Sequence, residues 1–255
     1  MVRLCRSLVG SLKLAALFAY AALELVFSQP AARQQRAEWL HRFCARTMRQ
    51  MGIVVRHHGT FPEHGVVVSN HLGYLDIVAF AALHRCVFVS KSEVRHWPLL
   101  GWMTTMAGTV YVQRGRGGSA LHAAHKMQAA ADAGLPLVFF PEGTTSRGDT
   151  VLPFHAGLLA QAIEAGQPVT AAHICYRLTQ NNGPHLSLAD LCYWDDTPLA
   201  VHIFRLLALR GIEVELHFAA SPIAFSPRAT NRRTAAEEAR DAVLQLRAAA
   251  HVPSL

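Results

Sequence analysis

Two short polar clusters interrupt an otherwise apolar chain: Asn70-His71-Leu72-Gly73-Tyr74-Leu75-Asp76 and, about seventy residues further on, Phe140-Pro141-Glu142-Gly143-Thr144. Each follows directly on an apolar run, Val66 to Val68 and Leu135 to Phe140. Both should therefore project from strand ends, where open α/β folds keep their chemistry. On one continuous helix, residues five apart are separated by about 140° around the axis, so His71 and Asp76 could not meet across a helical face and one of them must lie in a turn. If His71 closes the strand and Asp76 sits in the first turn of the next helix, the carboxylate reaches one imidazole nitrogen. That contact fixes the tautomer and leaves the other nitrogen as a base. No serine stands in a Gly-x-Ser-x-Gly elbow, so the hydroxyl to be activated belongs to the substrate. The chemistry implied is acyl transfer onto an alcohol with no covalent enzyme intermediate. Taken alone, the pair also fits a loop histidine beside an aspartate that caps a helix.

Three blocks in order narrow the choice. His71-x4-Asp76, then Gly108-Thr109-Val110-Tyr111-Val112-Gln113-Arg114, then Phe140-Pro141-Glu142-Gly143-Thr144-Thr145-Ser146-Arg147 resemble blocks I to III of the glycerolipid acyltransferases. These are the 1-acylglycerol-3-phosphate acyltransferases and their lysophospholipid relatives. The stretch Lys91-Ser92-Glu93-Val94 through Trp97-Pro98 and Gly101-Trp102 is similar to that family's connection between blocks I and II, so the likeness covers roughly residues 35 to 220. The resemblance implies His71 as general base and Asp76 as its orienting partner. It makes Glu142 the acceptor-binding carboxylate, with Gly143 and Thr144 offering backbone N–H groups to a developing oxyanion. Arg114, at a strand end, is the side chain to hold a phosphate bidentately, and the Gly115-Arg116-Gly117-Gly118 loop beyond it leads to helix amides that suit an anion. The sequence departs from the pattern where the family often has Ser (Gly73 here) and Arg (Thr145 here), and its fourth block is reduced to Pro168-Val169. Arg147, two places beyond Thr145, is the candidate replacement cation.

The resemblance implies transfer of a fatty acyl group from acyl-CoA or acyl-carrier protein (acyl-ACP) to the free hydroxyl of a lysolipid. The favoured acceptor is 1-acyl-sn-glycerol 3-phosphate, giving phosphatidic acid; lyso-ornithine lipid and lysophosphatidylcholine are the alternatives, and a noncatalytic lipid-binding protein is the reading from another class. No cofactor and no metal is expected, the thioester being a substrate. The chain has fifteen histidines, but His57-His58 point apart on a strand and His122 with His125 lack an evident third ligand.

Composition agrees with a membrane surface as partner. The net charge is +7, and Arg3, Arg6, Arg33, Arg36, Arg42, Arg46 and Arg49 crowd the N-terminal fifth. No basic face interleaved with aromatics follows, so nucleic acid is not an expected partner. Five cysteines, dispersed and odd in number, suggest reduced thiols on the cytoplasmic face of a membrane. Residues Leu8 through Phe27 reach the length of a bilayer span, with Lys13 and Glu24 inside. After Pro30, the positions of Trp39, Leu40, Phe43, Cys44, Thr47, Met48 and Met51 form one helical stripe opposite arginines, the pattern of a basic amphipathic helix lying in a membrane interface. Basic residues on both sides of the apolar stretch favour a monotopic helix with both ends cytoplasmic over a single span.

The elements that must position the clusters alternate along the rest of the chain. Val66 to Ser69, Cys86 to Ser90, Thr109 to Val112, Leu135 to Phe140, Val169 to Tyr176 and Ile212 to Phe218 read as buried strands. Helical patterns cover Ser119 to Ala133, Pro153 to Ala165 and Thr234 to Ala250. The expected fold is α/β, a mostly parallel mixed sheet flanked by helices. Residues 1–54 form an N-terminal membrane-associated extension and residues 55–255 the acyltransferase domain.

Overall fold

The computed structural model describes residues 2–112, 125, 127–182 and 190–250. Its seven strands are β1 (Val54–His58), β2 (Val66–Ser69), β3 (Val87–Lys91), β4 (Val110–Val112), β5 (Leu137–Phe139), β6 (Val169–Leu178) and β7 (Ile212–Phe218). They form one sheet in the order β1-β7-β6-β2-β5-β3-β4, parallel throughout except where β6 and β7 run antiparallel. Among the described residues the longer helices are α1 (Val2–Ser28), α2 (Arg33–Met51), α3 (Tyr74–Leu83), α4 (Leu100–Met106), α5 (Ala156–Glu164), α6 (Leu199–Leu206) and α7 (Arg232–Ala250). Residues 127–131 are also helical.

The α/β fold with a mostly parallel mixed sheet is as the sequence implied, and all six apolar runs became strands. β2 is central and buried at every position, which explains its lack of alternation: both faces of a parallel sheet are covered. Val67 points into a core with Trp39, Phe80 and Leu216, while Val66 and Val68 point into a second core with Leu159, Ala235 and Ala239. The strand the pattern did not single out is β1, an edge strand exposed at four of its five positions.

Helix α2 corrects one expectation. Its apolar stripe does not meet lipid: Trp39, Phe43, Cys44 and Met48 are buried in the core that α3 and the sheet share. A stripe of this kind reads the same whether protein or membrane covers it, and here α3, apolar and lacking a polar face of its own, supplies the cover. The chain leaves α2 at Gly52, whose φ of 67° suits a left-handed helix end.

Helix α1 is longer than the apolar window suggested and is long and apolar enough to cross a membrane, with 17% of its most apolar window buried. Leu17, Ala21 and Leu25 are the buried face, whereas Leu8, Leu12, Leu23 and Phe27 are exposed. The charge inside it is matched from within the protein: Glu24 lies 2.9 Å from Arg42 and 3.8 Å from Arg46 of α2.

Candidate active site

The chain leaves β2 at Asn70, and the side chain there does the work of another ladder rung. Its Nδ2 donates to the Ile174 carbonyl (3.0 Å) and its Oδ1 accepts the Ile174 N–H (2.9 Å). A primary amide carries the donor and acceptor of a peptide group, so β6 stays satisfied while the main chain of β2 turns away. The turn is held from two more sides. The His71 carbonyl accepts the Ser146 N–H (2.9 Å), and the Leu72 carbonyl accepts the Tyr193 N–H (2.8 Å).

Asp76 is the third residue of α3 and fully buried. Its Oδ2 accepts from His71 Nδ1 (2.7 Å), the Leu72 N–H (2.6 Å) and the Gly73 N–H (3.1 Å). Its Oδ1 accepts a short hydrogen bond from the Tyr176 hydroxyl. Every partner is a donor, which matches the acceptor-only valence of an ionised carboxylate, and the helix N-terminus adds its partial positive charge. Because Nδ1 of His71 gives its proton to Asp76, Nε2 keeps a lone pair. The ring is further fixed by stacking on Phe140, 4.0 Å between centroids and 8° between planes. The sequence placed His71 in a turn and Asp76 in the first turn of the next helix, and the geometry has that form.

Tyr176 and Asn70 were not among the candidates. Burial and the adjacent Asp76 hold the Tyr176 hydroxyl well above its ordinary value, so it stays protonated and remains a donor. The sequence signal for both was weak: a polar group closing an apolar strand, with a partner about one hundred residues away.

The second cluster folds back over the first. After β5 a turn closes with the Gly143 N–H donated to the Phe140 carbonyl (3.0 Å), and Gly143 has a φ of 67°, where any Cβ is strained. Glu142 is 3% exposed and points into the protein. Its Oε1 accepts the Leu152 N–H (3.0 Å) and its Oε2 faces the His71 N–H at 3.4 Å. Burial raises its carboxyl to about 7 against the pull of those two backbone donors. Glu142 thus ties the backbone of His71 to the segment after β5. Gly143, Thr144 and Thr145 line a cavity that His71 also lines; Glu142 does not. Arg147 is likewise outside the lining. Its guanidinium lies 3.6 Å from Asp149 and 4.9 Å above the Trp194 ring. Arg114 and the glycine-rich loop after it lie outside the described residues, as does His122.

The cavity has a volume of about 810 Å³, toward the upper end of the range for organic ligands. Its wall is mainly apolar, with Leu40, Ile77, Phe88 and Val94 contributing. Among the described residues that line it, Lys91 is the one Lys or Arg. Lys91 ends β3 in register with Val112 of β4, the strand that leads to Arg114. Trp97 lines the cavity and is exposed, as are Leu99 and Trp102 close to it in sequence.

An acyltransferase family model matches residues 52–174. The lyso-ornithine lipid O-acyltransferase of Brucella abortus is 33% identical over 201 residues, which is 73% of this chain and 72% of that one. The chain belongs to the glycerolipid acyltransferase family. The chain is also 37% identical over 180 residues to the lyso-ornithine lipid O-acyltransferase of Pseudomonas aeruginosa, covering 70% of this chain and 65% of that one. It is 32% identical over 160 residues to the 1-acyl-sn-glycerol-3-phosphate acyltransferase of Neisseria gonorrhoeae, covering 62% of this chain and 61% of that one. The match thus spans just under two thirds of the Pseudomonas and Neisseria enzymes. Among solved structures, the 1-acyl-sn-glycerophosphate acyltransferase PlsC of Thermotoga maritima matches over 96% of this chain and 98% of that one with a TM-score of 0.63 at 21% identity, a likeness of fold.

Proposed function

We propose that this acyltransferase moves a fatty acyl group from a thioester, acyl-CoA or acyl-ACP, to the hydroxyl of a lysolipid at a membrane surface, with His71 as general base. The observation that carries the reading is the His71–Asp76 contact of 2.7 Å at the edge of a mainly apolar cavity of about 810 Å³. Nε2 of His71 takes the proton of the acceptor hydroxyl as its oxygen attacks the thioester carbonyl. Asp76 stabilises the imidazolium that forms. Collapse of the tetrahedral intermediate breaks the C–S bond, and the imidazolium returns its proton to the departing thiolate. With the Gly143 amide already donated to Phe140, the oxyanion is assigned to the amide of Thr144, which lines the same cavity. Glu142 acts as a positioning residue through the His71 backbone. Lys91 and Arg114 serve the anionic part of donor or acceptor.

The acceptor favoured is a lyso-ornithine lipid. Two relatives of that name, from Pseudomonas aeruginosa and Brucella abortus, are 37% and 33% identical to this chain. The Thr145 position carries no cation, and Arg147 is turned toward Trp194, so the site has less to offer a phosphate monoester. Transfer to 1-acyl-sn-glycerol 3-phosphate is the second reading, supported by the Neisseria gonorrhoeae relative at 32% identity. Membrane association is supported by the exposed apolar face of α1 and by the exposed Trp97, which lines the cavity, with Leu99 and Trp102 exposed close to it in sequence, since tryptophan favours the interface between water and lipid. The donors belong to the cytoplasm, so the cavity opens toward the cytoplasmic leaflet, with α1 lying in that leaflet.

The test is acyl transfer in mixed micelles from labelled acyl-CoA and acyl-ACP to both acceptors, with the wild type and His71→Ala. Transfer to lyso-ornithine lipid that His71→Ala abolishes supports the whole reading. Transfer only to 1-acyl-sn-glycerol 3-phosphate keeps the mechanism and changes the acceptor. Full activity in His71→Ala removes the general base.

A further inference from the structure

The three strands at the β1 edge align an unusual row of side chains. His58 on β1 is in register with His217 on β7, and His217 with His173 on β6. Two residues along, Glu215 lies between Arg56 and Cys175 in the same way. Alternation along the strands puts all of these on one face. The opposite face carries Ile174, Tyr176 and Leu216, which are buried in the core beneath α2 and α3. The row is therefore on the other side of the sheet from Asp76 and takes no part in the acyl-transfer chemistry.

Within the row three groups converge. The His58 and His217 rings are stacked, 4.5 Å between centroids and 9° between planes. Glu215 is 5% exposed and its Oε2 lies 3.6 Å from His217 Nε2. One ligand atom from each of His58, Glu215 and His217 lies within 4.8 Å of the other two. Each ring offers one imidazole nitrogen lone pair to the site. Glu215 brings a carboxylate with two oxygens, of which Oε2 accepts from Arg177 at 2.9 Å.

We infer that His58, Glu215 and His217 form a binding site for a divalent transition metal of the zinc type. Two imidazole nitrogens and one carboxylate oxygen suit such a cation, with water in the remaining position. Metal–nitrogen bonds of about 2.0–2.1 Å require ligand atoms about 3.4 Å apart in a tetrahedral shell, so the three must close by about an ångström. Rotation of His58, an exposed side chain on an edge strand, supplies that movement. The bound metal would clip β1 to β7 across a boundary already joined by backbone pairing, the His58–His217 stack and the Arg56–Glu213 contact.

The test is isothermal titration of the chelator-stripped full chain in detergent with zinc. The variants are the wild type, His58→Ala, His217→Ala and, as a control for adventitious binding among fifteen histidines, His57→Ala, whose side chain points the other way. The expected result is stoichiometric binding with a rise in Tm for the wild type and His57→Ala. Binding should be roughly tenfold or more weaker in His58→Ala and His217→Ala. Should His217→Ala fail to fold, the exposed His58→Ala decides alone. Zinc bound equally by the wild type and His58→Ala, or no stoichiometric binding by the wild type, overturns the site.

Discussion

Glu142 gives a prediction that can be worked through from its surroundings. Its carboxyl is buried and raised from an ordinary value of 4.5 to about 7. A carboxyl raised in the folded state binds a proton more tightly there than in the unfolded chain, so between those two values the folded state holds more protons. Stability must then fall as pH rises through that window. Below about pH 4.5 the group is protonated in both states and costs nothing; above about pH 7 it is ionised in both and its full burial penalty is present. At 1.36 kcal/mol per pH unit the penalty is about 3 kcal/mol. Glu142→Gln keeps the shape and cannot ionise, so it abolishes this contribution. Other groups titrate in the same range, including many of the histidines, and the measurement is therefore a difference. Denaturant unfolding of wild type and Glu142→Gln in detergent, followed by tryptophan fluorescence at pH 5, 6.5 and 8, should show the variant gaining on the wild type by about 2.5 kcal/mol from the lowest pH to the highest, since at pH 5 part of the penalty is already present. Any fixed cost of replacing an acceptor by an amide N–H opposite the His71 N–H is the same at each pH and drops out. A difference that is flat with pH would refute the argument, because it would mean that Glu142 ionises as readily inside the protein as outside.

Other consequences follow from the same site. Asp76→Asn presents a competing donor to His71 Nδ1 and should lower kcat by 10² to 10⁴-fold, measured as acyl transfer at saturating acceptor; an activity near wild type would argue against His71 as base. Tyr176→Phe removes one donor from a buried carboxylate and should cost about 1.5–3 kcal/mol in unfolding free energy, with a smaller loss of activity than Asp76→Asn. Asn70→Leu leaves the N–H and C=O of Ile174 without partners, at about 1–3 kcal/mol each, and should lower Tm well beyond an ordinary surface substitution. Gly143→Ala forces a Cβ into the left-handed region, for about 1–2 kcal/mol, and its effect on kcat reports how closely the turn is coupled to the oxyanion.

The fold was legible because its central strands are apolar on both faces and are separated by helical stretches: Val66 to Ser69 and Leu137 to Phe139 could be little else. The His71–Asp76 pair was legible because both residues lie within one turn, where spacing alone fixes geometry. Contacts across long separations were not legible. Asn70 meets Ile174 and Tyr176 meets Asp76 about one hundred residues apart, and nothing local marks either pairing. The resemblance implies Glu142 as the acceptor-binding carboxylate, yet the loop turns its carboxylate toward backbone amides. The stripe on α2 had the right periodicity and the wrong assumed partner. β1 escaped notice because an edge strand needs no apolar alternation, and Arg56 and His58 are tolerated there because one side is open to solvent.

The strand order also governs how the molecule can be made. β1 is the first strand in the chain and pairs only with β7, the last. Until residue 218 has left the ribosome, β1 has no partner and β6 presents an open edge, although β2 through β6 can already associate. Closing such a sheet late in synthesis is slow and leaves strand edges exposed. α1, with its apolar side uncovered, emerges before any strand. A nascent chain can therefore be captured by lipid or by a chaperone while its sheet is still incomplete, and an arrest before residue 212 would release a species with β1 unpaired and β6 open along one edge.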